Sequence, residues 1–584
     1  MKNSSKAVLY LMHGIFIMLI ILSIFLYKQR FFADSAYFFF HSINSGWFHI
    51  EHSRLLLGFS QIIPIIGYHL GLPLKHLMLS YSAGVELIYY LLFIFLVYKL
   101  KDLAAGVSLL LIHLIGQLWL FHVPSLEICH GAALAIVFYS ILRSGKYKDD
   151  KWLILLLLIE WLILFSHPAN LFLIPFLIAF DYLNRGWQQR IHLSIIFFFF
   201  IGVVIRLVSM GQYDQAKLQN SNGIFTSGAI DSNYWPDVFQ VFVEFYPELL
   251  VFMLIILSYF IFKRALKKIA LFLGSLVILI VLISAIERIN QFGFYTEALI
   301  SPIVFLIVFI VLHEVWKNTS ATIQSLGLIF FVGIAIFRVF WILDFGKTFD
   351  QREQQLNLLV DYAQTVGHSK LLLKTDNFAK SYSLINWANP IETLLFSAID
   401  GKEASVTIAT EEDLDFQNNR KNLTDSSFIF RMFDVMPHSF LNERFFKFNT
   451  SSYYELNTAD YVIDPSEIKD AVSISFYQPK EGLIFQKGDT IIHEVYILNK
   501  SGSKIPSGIE GQTFIACHWY NKDGSTYRWD GIRTLLEVDV LNSYTQDIRL
   551  AIPEKSGEYL LQADLVIEGL MWFGLQQKVL VQVK

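Results

Sequence analysis

The sequence predicts a polytopic α-helical membrane bundle of about 11 transmembrane helices, followed by a small α/β soluble region and a C-terminal antiparallel β-sandwich. Three observations carry that expectation. Of 584 residues, 54% are hydrophobic and 16% aromatic, and the mean hydropathy is +0.48. The apolar residues gather in runs of about 20, the length that crosses a bilayer as a helix. Beyond about Lys347 the runs stop and the sequence turns mixed and polar. A net charge of -4 without a basic block speaks against nucleic acid as a partner. Cys129 and Cys517 are too few and too far apart for a disulfide framework or a thiolate metal site.

Taken in order, the apolar runs lie near residues 7–27, 77–98, 103–121, 127–142, 152–166, 169–184, 191–208, 241–262, 268–286, 296–315 and 322–343. No small-residue cleavage site precedes the aromatic stretch after the first run, so it reads as a retained span rather than a signal peptide. Every second connection is basic: YKLKD, RSGKYKDDK, RGWQQR, FKRALKK and EVWKN. Lysine and arginine favour the cytoplasmic side, which places the N-terminus inside and the tail outside; Lys28 and Arg30 run locally against the rule. The opposite face then gathers Asp34, Glu51, His52, His122, Glu127, His130, His167, Glu287 and Glu297, with Arg54, Arg206 and Arg288 as cations. Ionisable groups at span edges are costly to desolvate and face a cavity or one another, so this mouth is the candidate site.

The division expected is residues 1–345 for the membrane domain, 346–468 for the α/β region and 469–584 for the β-sandwich. In the α/β region, FDQREQQLNLLVDYAQTV has helical spacing, KLLLK and SVTIAT read as strands, and WANPIETLLFSAI is a proline-started helix. Further on, AVSISFY, IIHEVYILN, QTFIACHWY, QDIRLAI, GEYLLQADLVI and KVLVQV alternate with turn residues, and NKDG is a hairpin turn.

The first outer loop, ADSAYFFFHSINSGWFHIEHSR, follows span one and carries an early acidic residue. With many later spans and an outer C-terminal region, it resembles the GT-C superfamily of integral-membrane glycosyltransferases, and HPANLFLIPFLIAF and ERINQFGFYTEALISPIVFL are similar to recurrent segments there. In the tail, WDGIRTL and YLLQADLVIEGLMWF resemble the Ig-like sandwich attached to some bacterial sugar-transfer and polysaccharide-assembly proteins. The resemblance implies a bacterial inner-membrane enzyme of the cell envelope, taking sugar from a polyprenyl-phosphate donor to a glycan or lipid acceptor. It makes Asp34 the catalytic base, with Glu51 or Glu127 as the second acid. Asp34 is followed by Ser35, so the paired acidic dipeptide of many members is absent.

Chemistry assigns the rest. Glycosyl transfer needs a deprotonated acceptor hydroxyl and cations for the leaving phosphate; Arg54, Arg206 and Arg288 suit that contact. His52, His167, Tyr295 and Glu297 are candidate substrate-binding groups, and Trp47 and Trp235 can stack on sugar rings. His122, Glu127 and His130 have donors fit for a divalent metal, Mg or Mn, and equally for interfacial hydrogen bonding. A carboxylate after a span is often just a solvated loop residue, and Glu51, His52 and Arg54 also fit a local ion network. A second reading is non-enzymatic: a transport or assembly component of a polysaccharide-export system whose tail is a docking module. The absence of internal repeats and the gathering of ionisable groups at one face favour the enzyme.

Overall fold

The computed structural model describes residues 3–211, 214–216, 234–286, 293–365, 367–373, 386–455, 471–477, 483–501, 504–505, 507, 513–567, 571–575 and 577–584. It divides into two compact units, Met1–Phe349 and Asp350–Lys584.

The first unit is helical. Helix α1 (Asn3–Phe25) is the first apolar span. After a turn come α2 (Asp34–Ser45) and α3 (Ile62–His69), which pack on each other within the first loop. Gly46 ends α2 in the left-handed conformation at φ 70°, where a Cβ would also press on Tyr68 at 2.6 Å. Helix α4 (Leu74–Ile94) runs into a π-turn to Lys99 and packs on α1. Four shorter or more polar helices follow: α5 (Leu103–Ile115), capped by the Asp102 side chain, α6 (Glu127–Ser144), α7 (Asp150–Leu164), capped by Asp149, and α8 (Leu173–Arg185). Helix α9 (Gln189–Val208) is again long and apolar.

Helices α10 (Tyr234–Phe245) and α11 (Pro247–Phe262) meet at a 100° bend. Tyr246 leaves helical geometry there, and Pro247, which has no N–H to give to the preceding turn, opens the next helix. They are followed by α12 (Leu266–Ile286), α13 (Phe294–Ile310) and α14 (Ala321–Thr365). Within the span that begins with α13, Phe294–Asn318, residues 296–316 are all buried, and α13 packs against α5, α6, α11 and α12. It is the central helix of the unit.

The count of 11 spans does not hold. Among the described residues, six helices are long and apolar enough to cross a membrane, or seven if the bent pair is one span. The runs at 103–121, 127–142, 152–166 and 169–184 do fold as helices, α5 to α8. With 13 residues in α5 and α8 and 15 in α7, however, they fall short. At 1.5 Å per residue such helices reach only about 20–23 Å, against a hydrocarbon core of about 30 Å. Helix α6 has 18 residues but carries Glu127 and Arg143 at its two ends.

The short helices leave a buried irregular segment, residues 117–125, between α5 and α6. Non-helical backbone is tolerated at such a place only where protein satisfies it. The Glu297 carboxylate does so, accepting the backbone N–H groups of Leu118, of Trp119 at 2.8 Å and of Leu120 at 2.9 Å.

The second unit holds an α/β part and a β-rich part. Strand β1 (Lys370–Leu373) lies between β2 (Thr407–Thr410) and the later β5 (Tyr454–Glu455) in a three-stranded parallel sheet. Helix α15 (Asn389–Ser397) packs on β2, and Thr410 and Asp413 form a capping box on α16 (Glu411–Asp415). Strands β3 (Ser427–Arg431) and β4 (Asp434–Pro437) make an antiparallel hairpin. In the β-rich part, β6 (Val472–Phe476), β8 (Thr490–Asn499) and β12 (Ser543–Ala551) form one sheet. The other runs β10 (Thr526–Arg528), β9 (Thr513–Asn521), β13 (Gly557–Ile567), β15 (Lys578–Val583), β7 (Leu483–Phe485), with β11 (Thr534–Leu535) and β14 (Met571–Trp572) at its margins. Their inward residues, Ile497, Trp519, Ile548 and Leu561 among them, share one core. Among the described residues of this part, the strand pairs are antiparallel except β15 with β7, which is parallel.

Candidate functional site

The five basic connections meet at one end of the first unit. Lys317 lies 3.7 Å from Asp102; Arg185 donates to the Arg143 and Leu142 carbonyls at 3.3 and 3.1 Å; Lys268 donates to Asn184 and Glu314, each at 2.6 Å. The polar residues of the first loop, of the 117–126 segment and of the ends of α7 and α9 meet at the other.

There, the chain leaves α1, turns through Lys28–Arg30 and enters α2 with Asp34 as its first residue, half-buried. Ala33 is held at φ 44°, and His52 and Ser53 at φ 52° and 56°. Three of the seven non-glycine residues with positive φ among the described residues thus sit in this one loop. Such backbone costs about 1–3 kcal/mol each and persists only where its surroundings enforce it. Ser35 Oγ lies 3.2 Å from Ser125 Oγ, which ties the start of α2 to the 117–126 segment, and Asp34 is within electrostatic reach of Tyr81.

Glu51 is the centre of a small network. Its Oε1 accepts from Tyr37 Oη at 2.5 Å and from His49 Nε2 at 3.0 Å, and its Oε2 is 3.7 Å from His52. Burial alone would raise this carboxyl, but the bonds from His49 and Tyr37 and the adjacent imidazoles hold it at about 2. Arg54 Nη1 donates to Glu127 Oε1 at 2.8 Å and its Nη2 to Asp214 Oδ1 at 3.0 Å. Arg206, near the end of α9, donates to the Leu164 carbonyl and lies within electrostatic reach of Arg54, Asp214 and Glu127. Arg54 Nε and Arg206 Nη2 are buried and have no acceptor among the described residues.

Of the residues singled out in sequence, the structure therefore brings together Glu51 with His52, and Arg54 with Glu127 and Arg206. Others meet the backbone. His167 Nδ1 accepts from Ala169 N at 3.2 Å, capping the turn before α8, and Glu297 is engaged by the three N–H groups above. Tyr295 is half exposed, as are Trp47 and Trp235. Glu287 and Arg288 lie outside the described residues. The ligand set of His122, Glu127 and His130 does not assemble: among the described residues no three His, Cys, Asp or Glu side chains are placed to hold a metal ion. His130 instead meets Tyr89 Oη at 3.1 Å and the Pro124 carbonyl at 3.2 Å. His122 stacks on Phe349 with ring centres 4.0 Å apart; burial, then the Arg30 charge, holds its imidazole well below the ordinary value.

Sequence reasoning missed a buried ionic group beside this site, Arg30 with Glu86 and His113. The available signal was an ionisable residue inside an apolar run: Glu86 and His113 each interrupt one.

No family model matches the chain, and no curated protein matches it. Among solved structures, the solution NMR structure of the CARDB domain of a Pyrococcus furiosus protein is similar at 16% identity and a TM-score of 0.13, over 19% of this chain and 94% of that one. The likeness is too slight to add to the strand pairings already described.

Proposed function

We propose that the chain is an integral-membrane glycosyltransferase, moving a sugar from a polyprenyl-phosphate donor to an envelope glycan or lipid acceptor at the polar end of the bundle. The observation that carries this reading is the convergence of Arg54, Glu127, Asp214 and Arg206 beside the loop that bears Asp34. In the reaction, the Asp34 carboxylate takes the proton of an acceptor hydroxyl. The acceptor oxygen bonds to the anomeric carbon as the bond from that carbon to the phosphate oxygen breaks. The phosphate leaves with the electron pair, and the unused donors of Arg54 and Arg206 receive its charge. The polar end faces out of the cell and the N-terminus lies in the cytoplasm of a bacterial inner membrane, because the five basic connections share the other end. The β-rich region, read as an Ig-like sandwich, binds or positions the acceptor.

The test is Asp34→Asn in membranes supplied with a labelled polyprenyl-phosphate sugar. Transfer falls by about 10²–10⁴-fold, the usual contribution of a general base, at unchanged expression and melting temperature; near-normal transfer sinks the assignment.

One observation favours the second reading, a transport or assembly component. Glu160, within the apolar helix α7, is 1% exposed and has both carboxylate oxygens without a partner among the described residues, the kind of group that carries protons in transporters. That reading predicts that Glu160→Gln abolishes envelope glycan export while Asp34→Asn leaves it intact.

A further inference from the structure

Two segments of the β-rich part have no place in the steps above: WDGIRTL, residues 529–535, and residues 571–575 with Trp572. They come together on one face of a sheet. Along β9, Trp519 belongs to the shared core, so its neighbour His518 lies on the opposite face, beside Gln562 of β13. Such a face usually meets water, yet His518 and Asp564 are fully buried and Gln562 is nearly so. The two segments cover them. His518 Nδ1 donates to the Trp529 carbonyl, and its Nε2 faces Asp564 Oδ2 at 3.5 Å. Asp564 accepts the N–H groups of Gly574 at 3.0 Å and Leu575 at 3.1 Å, while Gln562 donates to the Leu575 carbonyl. Gly531 lets the first segment pass close to β9, since a Cβ there would stand 2.6 Å from the Cys517 carbonyl oxygen. Buried polar groups are costly unless bonded, and these bonds tie down the two segments that carry a tryptophan.

What they hold is an aromatic corner. Trp529 lies with one face on the His518 ring, 4.1 Å between centres and 18° from parallel, and is 48% exposed, so its outer face is open. Trp572 meets it at 6.1 Å and 66°. Arg533 lies over the Trp572 ring at 5.3 Å and pairs with Asp530 at 3.1 Å, and both charged side chains reach solvent. The patch is therefore part flat and apolar and part hydrogen-bonding, with a carboxylate that accepts and a guanidinium that donates. A pyranose ring matches both parts: its C–H bonds form an apolar face, and the hydroxyls around its edge donate and accept. A hydrocarbon chain would leave the ion pair unused, and a small anion would leave the indole plane unused.

We propose that this corner is a glycan-binding site, in which the open face of Trp529 stacks on a sugar ring while Trp572, Asp530 and Arg533 meet its edge. That the bound glycan is the acceptor rests on the glycosyl-transfer reading; the binding itself does not. The buried His518 and Asp564 are positioning residues, which set the two tryptophans against each other without touching the sugar.

The experiment is calorimetric titration of the full chain, in a detergent without a sugar headgroup, with chitohexaose, cellohexaose and mannohexaose. At least one binds saturably. Trp529→Ala weakens that binding at least about tenfold, as loss of a central aromatic anchor does, whereas Trp187→Ala, at an equally exposed tryptophan of the helical unit, leaves it unchanged. Radical footprinting of the wild-type chain decides the matter if Trp529→Ala fails to fold: the bound hexasaccharide lowers oxidation of Trp529 and not of Trp187. Wild-type affinity in folded Trp529→Ala, or equal oxidation of Trp529 with and without sugar, overturns the site. So does a lack of saturable binding by all three sugars, and a co-purifying protein lost in Trp529→Ala would then assign the face to a protein partner. Asp34→Asn separates the two ideas. If that variant keeps transfer, the enzyme reading fails and sugar binding at Trp529 stands; if it abolishes transfer while no sugar binds at Trp529, the enzyme reading stands without this site.

Discussion

The two ends of the helical unit treat charge differently. At the basic end, Arg185 meets both oxygens of Asp181 at 2.8 Å, and Lys268 and Lys317 each have an acidic partner. At the polar end, Arg30, Arg54 and Arg206 each keep at least one buried nitrogen without an acceptor among the described residues. Bonds at the basic end join the ends of different helices and hold connections in place. The polar end keeps donors in reserve inside protein, which is costly for stability and useful only where something else is to be bound. Among the arginines and lysines, that difference, more than the presence of charge, supports the proposal of a site at the polar end.

The largest expected effect comes from breaking a pair at the polar end. Glu86→Ala strands Arg30 as a buried, uncompensated charge, and thermal or denaturant unfolding in detergent should show a loss of about 3–5 kcal/mol. Gly131→Ala comes next: a Cβ there would run into Asn170 Nδ2 and lie 2.6 Å from Ser166 Oγ, for a loss of about 1–3 kcal/mol. At the basic end, Asp102→Asn weakens one cap and one partly exposed pair, about 1 kcal/mol. If it proves as damaging as Glu86→Ala, the contrast between the ends fails. Lys151→Ala, at an exposed pair with Asp149, should leave the melting temperature unchanged.

Acidity offers a probe of the first loop alone. Glu51 titrates at about 2 in the folded chain against an ordinary 4.5. Because the folded value is the lower one, its stabilisation is present above about pH 4.5 and is lost as the pH falls through about 2. Glu51→Gln should remove that part of the acid dependence, read as the difference between melting curves of the two proteins across the window.

Much of the architecture was legible. The alternating strands of the tail are where the period of two put them, NKDG closes the β9–β10 hairpin, and the proline before Ile391 starts α15. Apolar runs also marked every helix from α4 to α13 in the first unit except the bent α10, but composition does not measure length. Runs of 15 to 19 apolar residues correspond to helices of 13 and 15 residues with turns, and the span count failed there. The coming together of Arg54 with Glu127 was anticipated only as membership of one face. Their pairing across 73 positions, and the third partner Asp214, depend on tertiary packing that spacing does not encode. Glu297 shows the converse limit, since a carboxylate at a span edge reads the same whether it binds a substrate or three backbone N–H groups.

That carboxylate sets a clock on biogenesis. The N–H groups of residues 118–120 are met by a side chain 177 to 179 positions further on. At about 5–20 residues per second, a ribosome needs roughly 10–35 s to make that stretch. Until then those three N–H groups lack their acceptor, although Ser35 and His130 already hold Ser125 and Pro124. A nascent chain halted before residue 297 therefore carries these three N–H groups without the carboxylate that meets them in the complete fold.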